Sequence, residues 1–550
     1  MNNKRLTSPP RVLIVDNEPQ TVTMYQELIQ LWGFLPIVAE GTGTALIEDA
    51  LLKAKQFRCQ VALVDMRLVD DFDDEDTSGL DVIEKIKPTE TIIASAYGTL
   101  EIAVDTVQNK KAAGFFEKSR NPADLKEKIN KIILEKCAYF RDLEFVRSDF
   151  LTYSEEVLLA PDIRDDYKDQ VYDIFARLFP DAKKLRLEKM NSRHPSAYHS
   201  TVPRPKSVIL RVFEDDLQPV IIKLARKKKI MVEVGNFNQY IRSRLVGNYV
   251  PVLNDYVALW DIGGIKLSYI GSIEETFANF ISYQPIHLIK KSLNHFFLET
   301  WADHYKKSVK KTNTSLFNLY CDVWGTSWVK RALNFSVPDA SEVMSAIDFS
   351  KIPCDSPLTF LKAIVQSKSK EDDLSLVEET YTAITHGDLH ADNLLVDSSH
   401  NSWIVDFERS GEGHAFQDFV ELEADIINRI AFSQDEFPAF YHFCLAVAEL
   451  LPLSELLDKY SSIENKDVLK LLKIIVFIRE LSLKSTKISD ARQYILGLYF
   501  NTIFRATLVP REKYRKSELR TWMLASILCY RLNHWDNSTW PPTEWGNILS

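Results

Sequence analysis

Two sets of polar residues in this sequence have the types and spacing that phosphoryl chemistry requires. The first is dispersed. Asp16, Asp65, Ser95 and Lys118 each sit at or just past the end of a short apolar run. Carboxylates are hard oxygen ligands for Mg²⁺, and an ammonium with a hydroxyl can bind phosphoryl oxygens. One carboxylate can also act as the nucleophile and become an acyl phosphate. The second set is compact: His386-Gly-Asp388-Leu-His390-Ala-Asp392-Asn393, with Asp406 thirteen residues after Asn393. Transfer from a nucleotide needs a group that orients or deprotonates the acceptor hydroxyl, and oxygen ligands for the metal. Asp388 suits the first task, and Asn393 with Asp406 suits the second. His386 reads as a structural hydrogen-bonding histidine rather than a base, and His390 is ambiguous.

The elements that must position the first set are legible. Strands are expected over Arg11–Val15, Leu35–Val38, Val61–Val64, Thr91–Ala94 and Gly114–Phe116, with helical periodicity between them. Asn121-Pro122 then supplies an N-cap and first helical residue. Alternating strands and helices predict a doubly wound, five-stranded parallel α/β domain. Ligands of such sheets bind beyond the carboxyl ends of the strands, where these polar residues fall. The stretches VLIVDNEP (12–19), LVDMRL (63–68), IIASAYG (92–98) and FFEKS (115–119) resemble the receiver domain of bacterial response regulators, over about residues 10–140. The resemblance makes Asp65 the phosphoacceptor and implies a sensor histidine kinase as partner. Lys118 becomes the phosphate contact, Ser95 the switch hydroxyl and Phe115 the aromatic switch residue. Asp16 and Asp65 would ligate Mg²⁺, with Arg67 lending its carbonyl. Asn17 departs from the family, which usually carries a second acid there; a neutral amide should weaken Mg²⁺ binding. The loop after Asp65 is also enlarged, with six acids between Asp70 and Asp76; as a charge run it reads as a solvated loop.

The second set needs a small strand-rich lobe upstream. Ser207–Phe213 and Pro219–Leu224 read as strands, followed by a helix over about Met231–Val246 and strands over Tyr256–Trp260 and Ile265–Ile270. Beyond about Thr276 the pattern is mostly helical, interrupted by a loop and hairpin at Ile384–Val396 and Trp403–Phe407. The HGDxHxxN pattern paired with the downstream aspartate resembles phosphotransferases of the aminoglycoside and choline kinase type. That implies an α+β bilobal protein-kinase-like domain with a mostly helical C-lobe, using ATP and Mg²⁺. Val220-Ile-Ile-Lys223 matches the family's strand lysine, so Lys223 would contact nucleotide phosphates, with Glu233 as its helix partner. Asp388 becomes the catalytic residue, and Asn393 and Asp406 the metal ligands. The family's phosphate-covering loop normally carries glycines, whereas residues 187–208 contain none. The expected organisation is a receiver at 10–140, a helical linker at 141–180, an N-lobe at 181–272 and a helical C-lobe at 273–550. The combination looks like receiver-linked phosphotransferases of the ternary-complex-associated type.

Composition sets the remaining bounds. The 550 residues are 45% hydrophobic and 26% charged, which excludes a wholly disordered or collagen-like chain. Lys+Arg 67 against Asp+Glu 77 gives a net charge of −10, a poor basis for bulk nucleic-acid binding. Six scattered cysteines without a CxxC pair fit neither a zinc ribbon nor a disulfide framework and match a reducing compartment. The N-terminus lacks an apolar signal core, and the greasiest stretch, Val468–Ile478, reads as a buried helix, so a cytoplasmic protein without membrane insertion is expected. Trp301, Tyr305, Trp324 and Trp328 read as core. The expected function is a two-component signalling protein whose receiver, phosphorylated on Asp65, regulates a Mg·ATP-dependent phosphotransferase acting on an unidentified hydroxyl of a small molecule or protein. The alternative is a receiver–pseudokinase scaffold. A DNA-binding regulator would need a helix-turn-helix that the sequence does not display.

Overall fold

The structure is a computed structural model. It describes residues 9–70, 73, 76–96, 106–108, 111–137, 143–146, 167–189, 207–242, 244–245, 249–271, 273–334, 356–366, 379–430, 437–449, 453–460, 465–507 and 516–535. The chain divides into two compact units. The first comprises residues 1–190, 206–231 and 253–269; the second comprises 191–205, 232–252 and 270–550.

The first unit contains two sheets. Strands β1 (Arg11–Val15), β2 (Leu35–Val38), β3 (Val61–Asp65), β4 (Glu90–Ser95) and β5 (Gly114–Glu117) form a parallel sheet of order β2-β1-β3-β4-β5. All five residues of β3 are buried, as expected for a strand covered on both faces. The two-residue period divides the apolar residues between two cores. Leu13, Val15, Ala62, Val64 and Ile93 pack with helices Thr44–Phe57 and Leu80–Lys85. Val12, Ile14, Val61, Leu63 and Ala94 pack with helices Pro19–Leu31 and Pro122–Lys136. The last helix starts as predicted: the Asn121 side chain accepts from the Ala123 amide at 2.9 Å, with Pro122 in the first turn.

The second sheet contains β6 (Glu144–Val146), β7 (Lys184–Lys189), β8 (Ser207–Glu214), β9 (Val220–Arg226), β10 (Leu253–Ala258) and β11 (Ile262–Ser268), in the order β10-β11-β9-β8-β7-β6. Its pairs are antiparallel except β6–β7. Helix Tyr167–Leu178 covers one face, packing Val171, Ile174, Phe175 and Leu178 on Leu185, Leu210, Val212 and Leu224. The segment expected as a helical linker over 141–180 is therefore part of this fold. It supplies an edge strand as well as a helix, because Phe145 packs into the same core and β6 pairs with β7. Residues 147–166 lie outside the described residues. Helix Lys227–Asn236 follows β9 and continues as a π-helical turn, Phe237–Ile241.

The second unit is mostly helical. Two small sheets interrupt it: β12 (Ile273–Thr276), β15 (Leu394–Asp397) and β16 (Ser402–Ile404), and β13 (Lys310–Thr312), β14 (Thr380–Thr385) and β17 (Gly411–His414). Trp301, Tyr305 and Trp328 are fully buried. Val468–Ile478 lies in helix Lys466–Thr486, and among the described residues no helix is long and apolar enough to cross a membrane. The five described cysteines, Cys59, Cys137, Cys321, Cys444 and Cys529, are buried.

One buried ion pair fixes that long helix. Arg479 Nε donates to Glu423 at 3.1 Å, and Tyr494 Oη donates to the same carboxylate at 2.6 Å. Glu423 has no exposed surface. Removing one partner leaves a charge buried without compensation, whereas replacing both can be nearly neutral. Arg479→Met is therefore expected to lower stability by about 3–5 kcal/mol in urea unfolding. Arg479→Met/Glu423→Leu should recover most of that loss; a double variant as unstable as the single one would contradict this account.

Candidate functional site

The parallel sheet delivers its polar residues to one edge. Asp16 follows β1, Asp65 ends β3, Ser95 ends β4 and Lys118 follows β5. The Lys118 ammonium lies 2.8 Å from Asp16 Oδ2 and 3.1 Å from Asp65 Oδ1. Its amide donates to the Ser95 carbonyl at 2.8 Å, which ties β5 to the end of β4. Asp16, Asp65 and Ser95 are buried. Phe115 is partly buried against the core containing Val64 and Met66, and Arg67 lies two residues beyond Asp65. Gly79 explains how closely the enlarged loop returns: a Cβ there would stand 1.9 Å from the Asp65 carbonyl oxygen. Of the acidic run, residues 71, 72, 74 and 75 lie outside the described residues. Asp76 turns inward upon the loop, accepting from the amides of Val69, Asp70 and Ser78 at 2.8–3.0 Å.

Burial pushes the Asp65 carboxyl up to about 6; Lys118 pulls it down and Asp16 pushes it further up. Burial likewise raises Asp16 against the pull of Lys118. Burial opposes the charge of Lys118, but Asp65 and Asp16 outweigh it and its affinity for the proton rises. Tyr25 belongs to this electrostatic group and was not singled out from the sequence. Burial raises its hydroxyl to about 12, and Lys118, Asp16 and Asp65 act on it. On helix Pro19–Leu31 it is buried beside Ile29, and nothing in its spacing distinguishes it from a core residue. A carboxyl raised from 3.8 to about 6 stabilises the fold when protonated, and that contribution disappears as pH rises through about 6. In Mg²⁺-free buffer, lowering the pH from about 7 to 5 should therefore add about 1 kcal/mol through Asp65. Urea unfolding of wild type and Asp65→Asn at both pH values measures this; an equal pH response in the two would contradict it.

The pocket suits a hard cation. It offers two carboxylates, and Asn17 Oδ1 is a buried oxygen without a hydrogen-bond partner. Mg²⁺ takes carboxylate and amide oxygens of this kind.

The second set is built on backbone geometry. β14 ends at Thr385 and leads into the loop 386–393, and β15 and β16 then pair Leu394 with Ile404. The Val405 amide donates to the Asn393 carbonyl at 3.1 Å, which brings Asn393 beside the segment leading to Asp406. Asp406 is in the left-handed region, φ 69°, a conformation that costs energy for a residue with a side chain. Asn393 Nδ2 donates to the Asp388 carbonyl at 2.8 Å, so its amide group is oriented by the loop itself. Asn393 Oδ1 and the Asp406 carboxylate are both hard oxygen ligands and fit Mg²⁺ chemically. Among the described residues no group of three or more His, Cys, Asp or Glu forms a metal cluster, so an ion here would draw on amide oxygen and non-protein ligands.

Asp388 is half-buried, and Arg409 Nη1 holds its Oδ1 at 3.0 Å. Gly387, φ 78°, lets the loop pass close to Arg409: an added Cβ would stand 2.3 Å from the Arg409 carbonyl oxygen. His386 is fully buried and its Nε2 lies 3.1 Å from the Val405 carbonyl. Burial lowers its basicity, so the neutral ring donates to that carbonyl and braces the Asp406 segment.

Sequence reasoning missed the support beneath this loop. Helix Gln417–Asp425 turns three carboxylates toward the loop's amides. Asp418 accepts from His386 at 2.8 Å and Gly387 at 2.9 Å, Glu421 from Leu389 at 2.9 Å, and Asp425 from Ala391 at 2.9 Å. Tyr305 Oη donates to Asp418 at 2.8 Å. Burial, then Asp388 and Asp418, push Glu421 up to about 8, against Arg409 and Gln417. The available signal was acids at positions i, i+3 and i+7 of one helix, a spacing that places them on one face.

Lys223 and Glu233 belong to different units. Lys223 is buried on β9, opposite Ile209 of β8 and Ile265 of β11. Glu233 is buried on helix Lys227–Asn236, whose last residue donates through Asn236 Nδ2 to the Phe407 and Glu408 carbonyls at 3.1 and 2.9 Å. The phosphate-covering stretch falls mainly on residues 190–206, outside the described residues.

A family model described as ternary complex associated domain 9 matches residues 285–503. No curated relative matches the chain significantly. Among solved structures, the signal receiver domain of a protein titled as a LuxO repressor from Vibrio parahaemolyticus is 28% identical. That match covers 23% of this chain and 91% of that one, with a TM-score of 0.20. A protein titled as an aminoglycoside phosphotransferase from Ralstonia eutropha is 12% identical over 64% of this chain and 92% of its own, TM-score 0.36. An aminoglycoside phosphotransferase from Streptomyces rimosus is 10% identical over 50% of this chain and 89% of its own, TM-score 0.27. The chain is multidomain, with a five-stranded parallel α/β domain at its N-terminus, a six-stranded sheet after it, and a mostly helical part beyond.

Proposed function

We propose that the protein is a signalling phosphotransferase in which a receiver, phosphorylated on Asp65 by a sensor histidine kinase, regulates transfer from Mg·ATP to a hydroxyl acceptor. The observation that carries the transferase part is the arrangement of loop 386–393. Asp388, Asn393 and the segment leading to Asp406 are hydrogen-bonded to one another, and Asp388 is oriented by Arg409. Asp388 would accept the acceptor's proton as the hydroxyl oxygen attacks the γ-phosphorus and ADP leaves. With one carboxylate oxygen held by Arg409, the other is available to that hydroxyl. Asn393 and Asp406 would hold Mg²⁺, which supplies charge neutralisation to the phosphates when bound. Lys223 would position the phosphates. In the receiver, Asp65 would take the phosphoryl group as nucleophile, with Asp16, Asp65 and the Arg67 carbonyl on Mg²⁺. Lys118 would then leave its ion pairs for the phosphoryl oxygens, and Ser95 and Phe115 would respond.

The test is Mg·ATP-dependent labelling by the purified full chain with cell extract as acceptor pool. Transfer that needs both Asp388 and Asp406 supports the proposal, and the labelled product gives the acceptor's class. The absence of both transfer and nucleotide binding would favour the scaffold reading, which Asn17 and the glycine-free 187–208 stretch motivate. For the regulatory part, an acyl-phosphate donor should change the activity of wild type but not of Asp65→Asn; equal responses would count against it.

A further inference from the structure

The receiver meets the six-stranded sheet of its own unit at the end opposite Asp65. Arg58 caps helix Thr44–Phe57 in the left-handed conformation, and it precedes β3 by three residues. Its buried guanidinium donates through Nε and Nη2 to Asp261 Oδ2, the Nε bond measuring 2.9 Å. Asp261 lies in the turn between β10 and β11. Gln170, on helix Tyr167–Leu178, clamps that turn with two bonds: its Nε2 donates to Asp261 Oδ2 and its Oε1 accepts the Asp261 amide, both at 3.0 Å. The Asp261 carbonyl in turn accepts from the Lys227 amide at 2.8 Å, which is the first residue of helix Lys227–Asn236. Beside this node Trp260 packs against both cores, the sheet's own and the receiver's, the latter containing Ala62, Val64 and Met66.

We propose that this node is a relay from the receiver to the helix that starts at Lys227. The inference rests on the proposed phosphorylation of Asp65. β3 is the physical link. It is a fully buried five-residue strand with Asp65 at one end and the Arg58–Gln60 turn at the other, so the two ends move together through a close-packed core. A shift of β3 on phosphorylation reaches Arg58 and the face that Trp260 covers. Asp261 passes it to Lys227 because its side chain is held by the receiver and its carbonyl holds the helix. The arrangement also leaves the Asp65 end of the sheet clear of this contact, as a phosphodonor requires.

Hydrogen exchange of the full chain, with and without Mg²⁺ and beryllofluoride as the acyl-phosphate mimic, tests the relay. Beryllofluoride should slow exchange over residues 65–68 and change exchange over 227–230 at least about threefold. In Arg58→Met and in Asp261→Asn the response at 65–68 should persist while that at 227–230 is lost. The relay is overturned if 227–230 still responds in both variants, or if wild type responds at 65–68 alone. No response at 65–68 in wild type would refute the receiver's proposed phosphorylation rather than the node. The node is then decided without the mimic: faster exchange at 227–230 in both variants supports it, and unchanged exchange overturns it.

Discussion

Asp388→Ala is expected to reduce Mg·ATP-dependent transfer by about 10²–10⁴-fold, the range for loss of a general base. The loss should fall on kcat, with KM for ATP little changed, because Asp388 would act on the acceptor hydroxyl rather than on the nucleotide. Asp388 is held by Arg409 at 3.0 Å and lies in a loop whose amides are fixed by helix Gln417–Asp425. Arg409→Ala separates chemistry from placement. It removes the group orienting Asp388 while leaving the carboxylate, so a smaller fall in kcat is expected. Arg409→Lys should recover part of the rate. Steady-state kinetics on the acceptor identified by labelling gives the result; an Asp388→Ala chain that turns over at the wild-type rate would refute the assignment.

The second large effect is structural. Asp418→Ala removes the acceptor for the amides of His386 and Gly387 and for the Tyr305 hydroxyl. Asp418 and His386 have no exposed surface, so water cannot replace it without opening the core. Each buried donor left unsatisfied costs about 1–3 kcal/mol, and a total loss of about 3 kcal/mol or more is expected. Burial raises the Asp418 carboxyl, while its hydrogen bonds to His386, Gly387 and Tyr305 favour the ionised form. Asp418→Asn keeps one acceptor oxygen but turns an NH₂ toward a donor, so it should lie between wild type and Asp418→Ala. Urea unfolding supplies the stability, and kcat measured on the folded fraction supplies the effect on Asp388. An Asp418→Ala chain as stable as wild type would show that the loop has other anchors.

Much of the N-terminal α/β domain was legible because its signals are local. Apolar runs ending in Asp16, Asp65 and Ser95 mark strands buried on both faces, and the Asn121-Pro122 cap is written in two adjacent residues. The later sheets were harder to read. β13 is Lys-Lys-Thr and β17 is Gly-Glu-Gly-His; neither has an apolar alternation, and each is a strand because it pairs with a side of β14. β6 is three residues in a charged stretch and was read as part of a helical linker; pairing with β7 and packing of Phe145 override that propensity.

The sequence by itself determined the candidates for the proposed chemistry: a carboxylate for the base, amide and carboxylate oxygens for a metal, and a set for a phosphoacceptor, each within or beside a short recognisable stretch. Only the tertiary structure decided how they are held. Asp418, Glu421 and Asp425 lie about 30 residues beyond the amides they accept from, and Arg58 lies 203 residues from Asp261. Such partners are chosen by the need to satisfy buried amides and charges, and that need arises only once the chain has folded and excluded water.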